Sequence, residues 1–452
     1  MSIVINDYEN YMKELFKLSP TIRFIYGKKD KEALSRITNY LDKDYRIKYK
    51  ELIYKYKDTR DIELKLLVED EIFSIDNKIY YLLFSSYNNI IIEFNYSTNN
   101  IYPKNDVYKR LRQKDFDVFI KTMIEYAREG IKNKMTYPKI IIKKFINQIK
   151  LNTKYRRLHD FLKNEYLPHC RNEIGLCYIP NGKEIYKRFI KSYIGHIDMS
   201  PEEIFKIGMD APKERVIITT TYKSRDELMN DCMKYNDHIY DNLYDKYFHY
   251  KPKKCIIQSI PHELEKTSPL GYYNDIEKQV FINLSYFNEI SKDEIYTLIM
   301  HESFHFYHFH LMTDYFKLPK YKYYSYNNIA LAEGFAHYME TYCENYNDNN
   351  INSLIRKIRL VVDIGINYYG WTYKQSYDYF KKYIPDKDTD VKNEIERYIC
   401  MPCQALTYYI GKYHIIKLRD EYLLKGGNIK DFHDLLLKEG LASFKKIDLN
   451  FQ

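Results

Sequence analysis

Residues 291–310 read SKDEIYTLIMHESFHFYHFH and contain four of the 13 histidines of the chain. Ser291 followed by Glu294 is the pattern of a capping box, which begins a helix, and the apolar residues that follow predict that this helix continues through the histidines. On a helix, His301 and His305 lie about 40° apart around the axis and about 6 Å apart along it. Two imidazoles at this spacing can bind one tetrahedral Zn²⁺.

Residues 301–305 have the form H-E-x-x-H, in which two histidines hold zinc and the glutamate acts as general base. Glu302 follows the first histidine and can reach a water molecule without binding the metal itself. A catalytic zinc takes a third protein ligand, and Glu333, in the apolar segment ALAEGFAHY (330–338), is the candidate. A buried carboxylate needs a partner, which a metal would supply. The alternative is a histidine-rich helix face satisfied by hydrogen bonds.

His308 and His310 complete the cluster. His308 is on the face of His301 but about 10.5 Å along the axis, so it could replace His305 as a ligand only if the helix contained a bulge. We therefore regard His308 as a candidate for substrate binding or for the core. His310 points to the opposite side of the helix.

Composition limits the other functions that the chain could have. It has 452 residues, 45% hydrophobic and 29% charged, which is typical of a soluble globular protein and argues against collagen-like or wholly disordered chains. The net charge of +9 is spread among interspersed acids and bases, so no nucleic acid partner is expected. No apolar stretch is long enough to span a membrane, and no secretory signal is recognised. Seven scattered cysteines are typical of reduced thiols, and together these features predict a cytoplasmic location.

The hydrophobic pattern predicts a mainly α-helical fold with one small β-sheet. Helical periodicity dominates both ends of the chain. Three short runs rich in Ile, Val and Thr are predicted strands: Val216–Thr221, Cys255–Ile260 and Gln279–Leu284.

Further blocks follow the histidines in order: RLVVDIG (359–365), EIERY (394–398), PCQALTYYIG (402–411) and FHDLLLKEG (432–440). With the H-E-x-x-H and E-G-x-A segments, they resemble the domain of unknown function 885 family of predicted zinc metallopeptidases. The resemblance covers roughly residues 165–445. Residues 1–160 match no motif, so we divide the chain into a helical N-terminal region, 1–160, and a catalytic region, 161–452. One continuous domain is the alternative.

The resemblance implies a gluzincin-like zinc peptidase acting on short peptides. Its expected body is a helical zincin fold with a small sheet near the active site and a substrate channel between two helical halves. Tyr408 stands at the family's Q-A-x-x-Y position and is a candidate donor to the oxyanion of the transition state. Arg397 and Tyr398 are candidates for substrate binding, although Arg397 could instead pair with a nearby glutamate.

Two departures from the family pattern leave other functions open. The family's motif reads H-E-A-x-P-G-H-H, and His305 here replaces its proline. A family histidine is replaced by Asn367. A catalytically weakened or inactive peptide-binding protein on the same scaffold is therefore the alternative, and a basic binding protein with structural histidines is the third possibility. Exo- or endopeptidase action, cleavage specificity and oligomeric state do not follow from the sequence.

Overall fold

The computed structural model describes residues 4–18, 43–82, 113–151, 153–213, 221–275, 277–323, 328–343, 351–385 and 388–452. These residues fold mainly into α-helices with one small sheet, which confirms the predicted fold class at this level. None of the helices described is both long enough and apolar enough to cross a membrane.

In chain order, the helices of the first part of the chain are α1 (Val4–Leu18), α2 (Lys43–Lys55), α3 (Ile62–Asp76), α4 (Gln113–Lys132), α5 (Lys139–Ile149), α6 (Arg156–Phe161), α7 (Gly182–Tyr193), α8 (Pro201–Asp210), α9 (Arg225–His238) and α10 (Tyr244–Tyr247). They are followed by α11 (Lys292–His310), α12 (Ile329–Met339), α13 (Ile351–Asn367), α14 (Tyr373–Tyr383), α15 (Asp388–Cys400), α16 (Thr407–Leu424), α17 (Ile429–Leu437) and α18 (Phe444–Ile447). Short 3₁₀ and π turns extend several of these helices; one continues α11 through Leu311–Tyr315.

The chain forms two compact units. The first comprises Met1–Ile190 and Val362–Cys403, and the second comprises Lys191–Val361 and Gln404–Gln452. The division at residue 160 separates a region without matched motifs from a region that has them, and it stays a prediction.

The sheet lies in the second unit and has three strands, β1 (Ile256–Ser259), β2 (Gly271–Asn274) and β3 (Gln279–Ile282). Their order is β1-β3-β2, with β1 parallel and β2 antiparallel to β3. Two predicted strands are thereby confirmed, whereas β2 was not predicted. The predicted run Val216–Thr221 lies outside the described residues except for its last residue.

In the first unit, the fully buried Asp363 is held by three groups. The hydroxyl of Tyr186 donates to its Oδ1 at 2.6 Å, and the backbone N–H of Cys403 lies 3.1 Å from both carboxylate oxygens. The amide of Asn367 lies 3.4 Å from Oδ1. Burial raises the pKa of Asp363 to about 7, although these hydrogen bonds act in the opposite direction.

In the second unit, α11 begins at the predicted capping box, in which Ser291 and Glu294 exchange hydrogen bonds. Residues on every side of α11 are buried, the polar His301, Glu302 and Ser303 among them, so the helix lies among its neighbours. Packing is tightest between α12 and α16. A Cβ on Gly411 would lie 2.1 Å from the carbonyl oxygen of Ala330, and one on Gly334 would lie 2.5 Å from Gly411 Cα. Backbone contact therefore sets the position of α12 at the residue after Glu333.

Candidate metal centre

The structure brings together the three predicted metal ligands. His301 and His305 project from α11, and their Nε2 atoms lie 3.1 Å apart. Glu333 on α12 places its Oε2 3.2 Å from Nε2 of His301 and 3.4 Å from Nε2 of His305. The three ligand atoms lie within 4.8 Å of one another. α11 stays regular through this turn, so the spacing between the histidines is that of an ordinary helix.

Opposite charges hold this cluster together. Burial raises the pKa of Glu333, but the hydrogen bonds with His301 and His305 outweigh it and bring the pKa well below its ordinary value. Burial lowers the pKa of His301, yet hydrogen bonds with Glu333 and Glu340 raise it to about 9. The carboxylate of Glu333 and the imidazole of His301 thus attract each other as opposite charges, and a divalent cation bound here would take the place of the imidazole proton.

A second carboxylate lies on the other side of His301. Glu340 follows the last residue of α12, and its Oε1 lies 2.8 Å from Nδ1 of His301. Arg356, on α13, donates from Nη1 to Oε2 of Glu340 at 2.6 Å, and its Nη2 lies 3.4 Å from the same Nδ1. Both side chains are buried, and the sequence analysis missed both residues.

Spacing on α12 could have revealed Glu340. Glu333, His337 and Glu340 occur at i, i+4 and i+7, which puts three polar side chains on one face of an otherwise apolar helix. His337 is fully buried, and its Nδ1 lies 3.3 Å from the carbonyl oxygen of Tyr408. Its pKa is well below the ordinary value, mainly because burial disfavours the charged form. No such spacing connects Arg356 with these residues in the sequence, because Arg356 lies on α13.

Glu302 points from α11 towards the sheet. Its Oε2 accepts a hydrogen bond from the backbone N–H of Tyr273 on β2, at 2.8 Å. The residue is 8% exposed, so the carboxylate is nearly buried beside the cluster. The edge strand that the sequence analysis missed therefore provides the contact that orients this side chain.

Tyr408 lies next to the cluster, as the family resemblance implies. Its ring stacks on that of His301, with centroids 6.2 Å apart and planes at 23°. The guanidinium carbons of Arg356 and Arg359 lie 5.6 and 5.2 Å from the centroid of the Tyr408 ring. These contacts place a phenol and two cations beside the candidate ligands.

The remaining predicted site residues contact other groups. His308 is 2% exposed and packs edge-on against Phe335; burial lowers its pKa to about 3, so it is a neutral residue of the core. Arg397 and Tyr398 belong to the first unit, where both donate to Glu394. Their roles in substrate binding stay predictions.

Asn367, which stands in place of a family histidine, is used structurally in the first unit. Its Oδ1 accepts from the backbone N–H of Leu176 at 3.1 Å, and its Nδ2 donates to the carbonyl oxygen of Tyr398 at 3.0 Å. The side chain is fully buried. Its amide thus ties together three segments of that unit.

Fold and site define a mainly helical protein with a partly buried cluster of two histidines and one glutamate. The chain belongs to the family described as "Bacterial protein of unknown function (DUF885)", whose sequence model matches residues 209–448. All the residues of the cluster lie within this match. No curated protein matches the chain.

Two solved structures share the fold over nearly the whole chain. One is described as a "putative lipoprotein" from Colwellia psychrerythraea; the match covers 98% of this chain and 97% of that one, with a TM-score of 0.79 and 19% identity. The other, a "putative lipoprotein of unknown function" from Shewanella oneidensis, covers 98% of both chains, with a TM-score of 0.68 and 16% identity. At these identities the likeness concerns the fold alone.

Proposed function

We propose that this protein is a zinc-dependent metallopeptidase with a helical zincin-type body that hydrolyses peptide bonds in short peptides. The observation that carries the proposal is the convergence of His301, His305 and Glu333, with Glu302 beside them. Two imidazole nitrogens and one carboxylate oxygen are a ligand set of catalytic zinc, which leaves one position open. Among the described residues the group has three members, whereas a structural zinc site needs four.

Zn²⁺ held by these residues would polarise a substrate carbonyl and lower the pKa of water. Glu302 acts as the general base. Because Tyr273 occupies its Oε2, we assign proton transfer to Oε1, which takes a proton from the attacking water and delivers it to the leaving amine. The hydroxyl of Tyr408 is the proposed donor to the developing oxyanion, since its ring lies against that of His301.

A peptide substrate suits the edge of the sheet. Among the described residues β2 is the outer strand of the order β1-β3-β2, and the edge of a sheet is a common binding place for an extended peptide. Tyr273 lies on this strand, which would guide the peptide past Glu302. A cytoplasmic location is part of the proposal, although the descriptions of the two structural relatives do not fit it well. Cell fractionation tests it.

The experiment is cleavage of synthetic peptides of graded length, followed by mass spectrometry. We expect cleavage by the zinc-loaded protein, loss of cleavage after chelation, and recovery when zinc is restored. Glu302→Gln should bind zinc and cleave nothing. Glu294→Gln is the matched control, since it makes the same change on the same helix and glutamine still completes a capping box. A zinc-loaded parent that binds peptides without cleaving any would refute the proposal in favour of a peptide-binding protein.

A further inference from the structure

We infer that Glu340, held by Arg356, is the positioning residue of the metal ligand His301. The inference rests on the proposed function for the identity of the metal. It concerns a carboxylate that contacts neither the proposed metal position nor a substrate, and that no motif in the sequence indicated.

The first step concerns the protonation of His301. Its Nδ1 lies 2.8 Å from Oε1 of Glu340, and an ionised carboxylate can only accept a hydrogen bond. A proton is therefore held on Nδ1, which leaves the lone pair of Nε2 for a metal. Nε2 is also the atom that faces Glu333 and His305. Glu340 thus selects the tautomer and fixes the rotation of the ring.

The second step concerns the charge of Glu340. Its side chain is fully buried, and an isolated carboxylate in such a place would become neutral. Nη1 of Arg356 lies 2.6 Å from its Oε2, and a guanidinium at this distance stabilises the charged form of a carboxylate. Arg356 itself is 8% exposed. Its guanidinium therefore keeps Glu340 ionised and fixed in direction.

The third step concerns where these residues come from. Glu333 and Glu340 are two turns apart along the same helical segment. This segment therefore supplies both a proposed ligand, Glu333, and the carboxylate that holds the ligand His301. Arg356 comes from α13 and anchors the end of that segment. Because His301 comes from α11, three helices are joined at this point. A shift of α12 would move both carboxylates together, and the network opposes such a shift.

The test is zinc affinity, measured by competition with a chelator on folded protein. Glu340→Ala should weaken zinc binding by about 10- to 100-fold, the usual effect of removing such a partner. Glu340→Gln should weaken it less, because the amide oxygen still accepts from Nδ1. Cobalt replaces zinc as a probe, and its absorption spectrum should change in Glu340→Ala because the ring of His301 is free to rotate.

The matched control is Glu265→Ala. Glu265 is also a buried carboxylate of the second unit paired with an arginine, Arg225, so its removal likewise breaks a carboxylate–arginine pair. Both alanine variants should melt at lower temperature, but only Glu340→Ala should lose zinc affinity. If Glu340→Ala does not fold, Arg356→Lys tests the same contact, and a weaker affinity is expected there too.

If folded Glu340→Ala binds zinc as tightly as the parent and its cobalt spectrum is unchanged, the inference is overturned. Peptide cleavage is measured separately on the same samples. A parent that binds zinc, loses affinity in Glu340→Ala and cleaves no peptide would refute the peptidase proposal alone, so the two failures are distinguishable.

Discussion

The carboxylate of Glu302 accepts a hydrogen bond from the backbone N–H of Tyr273, with 2.8 Å between Oε2 and N. This N–H is available because of the strand register. Asn283 donates a ladder bond to Leu270, and the alternation of an antiparallel ladder then turns the backbone groups of Tyr273 away from β3. The sheet thus orients Glu302, the proposed general base, without losing a ladder bond.

Tyr273→Pro tests this relationship. Proline has no N–H, and on an edge strand its ring is tolerated where no ladder bond is lost. We expect zinc binding and KM to stay close to those of the parent, and kcat to fall by about tenfold or more. Such a loss is a part of the roughly 10²- to 10⁴-fold that general base catalysis contributes. Steady-state kinetics on a cleaved peptide measure both constants.

The control for this substitution is Tyr273→Ala, which keeps the N–H and removes the ring. That ring contacts Phe306 and Phe309, with centroids 6.2 and 6.4 Å away. We expect a modest loss of stability and a kcat near that of the parent. Equal losses of kcat in the two variants would show that the ring, rather than the N–H, matters.

Zinc content distinguishes the ligands from their neighbours. The purified parent should contain one zinc per chain, and both His305→Ala and Glu333→Ala should lose nearly all of it, because each removes one of the three proposed ligands. His310→Ala is the control: this histidine is bonded to Asp314 on the same helical segment and lies outside the cluster. Metal analysis of dialysed protein gives the result, and zinc retained in Glu333→Ala would contradict the assignment.

Local sequence was sufficient to predict α11 and the cluster it carries. A capping box and a four-residue spacing act within one helix, so Ser291, His301 and His305 could be placed from the sequence alone. Glu333 could be found because an acid is conspicuous in an apolar helix. Arg356 could not, since its contact with Glu340 depends on how α12 and α13 pack.

β2 was missed for a related reason. Its four residues, Gly271–Asn274, include none of the Ile and Val residues that predicted β1 and β3, and they become a strand by pairing with β3. The interaction that orients Glu302 therefore depends on a contact that no local pattern encodes. His308 illustrates the opposite case, since its helical position was clear but its burial against Phe335 was not.

The pH dependence of stability should reveal the buried Asp363. Its pKa in the folded protein is about 7, above its ordinary value of 3.8, so the folded state binds this proton more strongly than the unfolded state. The contribution of this proton to the free energy of unfolding is complete below about pH 4 and is lost as the pH rises through about 7. A shift of one pKa unit corresponds to about 1.4 kcal/mol, so the free energy of unfolding falls by at most about 4 kcal/mol over this range.

Asp363→Asn removes this titration while its oxygen can still accept from Tyr186 and Cys403. The free energy of unfolding, from urea titrations, should fall between about pH 4 and pH 7 more steeply in the parent than in the variant. Asp160→Asn, at an exposed position of the same unit, should follow the parent throughout. Parallel curves for the parent and Asp363→Asn would contradict the assignment.

Gly411→Ala should destabilise the second unit. The added Cβ would lie 2.1 Å from the carbonyl oxygen of Ala330, so α12 and α16 would have to separate. Overpacking of this kind costs typically about 1–3 kcal/mol. Lys417→Ala, exposed on the same helix, should change stability by less than about 0.5 kcal/mol. Thermal unfolding of the two variants measures the difference, and equal melting temperatures would contradict the prediction.

The contact between Gly334 and Gly411 has a consequence for other members of the family. Since Gly334 directly follows Glu333, a larger side chain at either glycine would displace the carboxylate from the histidines on α11. A relative that retains H-E-x-x-H but has bulky residues at both positions should therefore have lost its metal while retaining the motif. This pair of positions offers a way to sort family members into metal-binding and metal-free groups, which the five-residue motif alone does not provide.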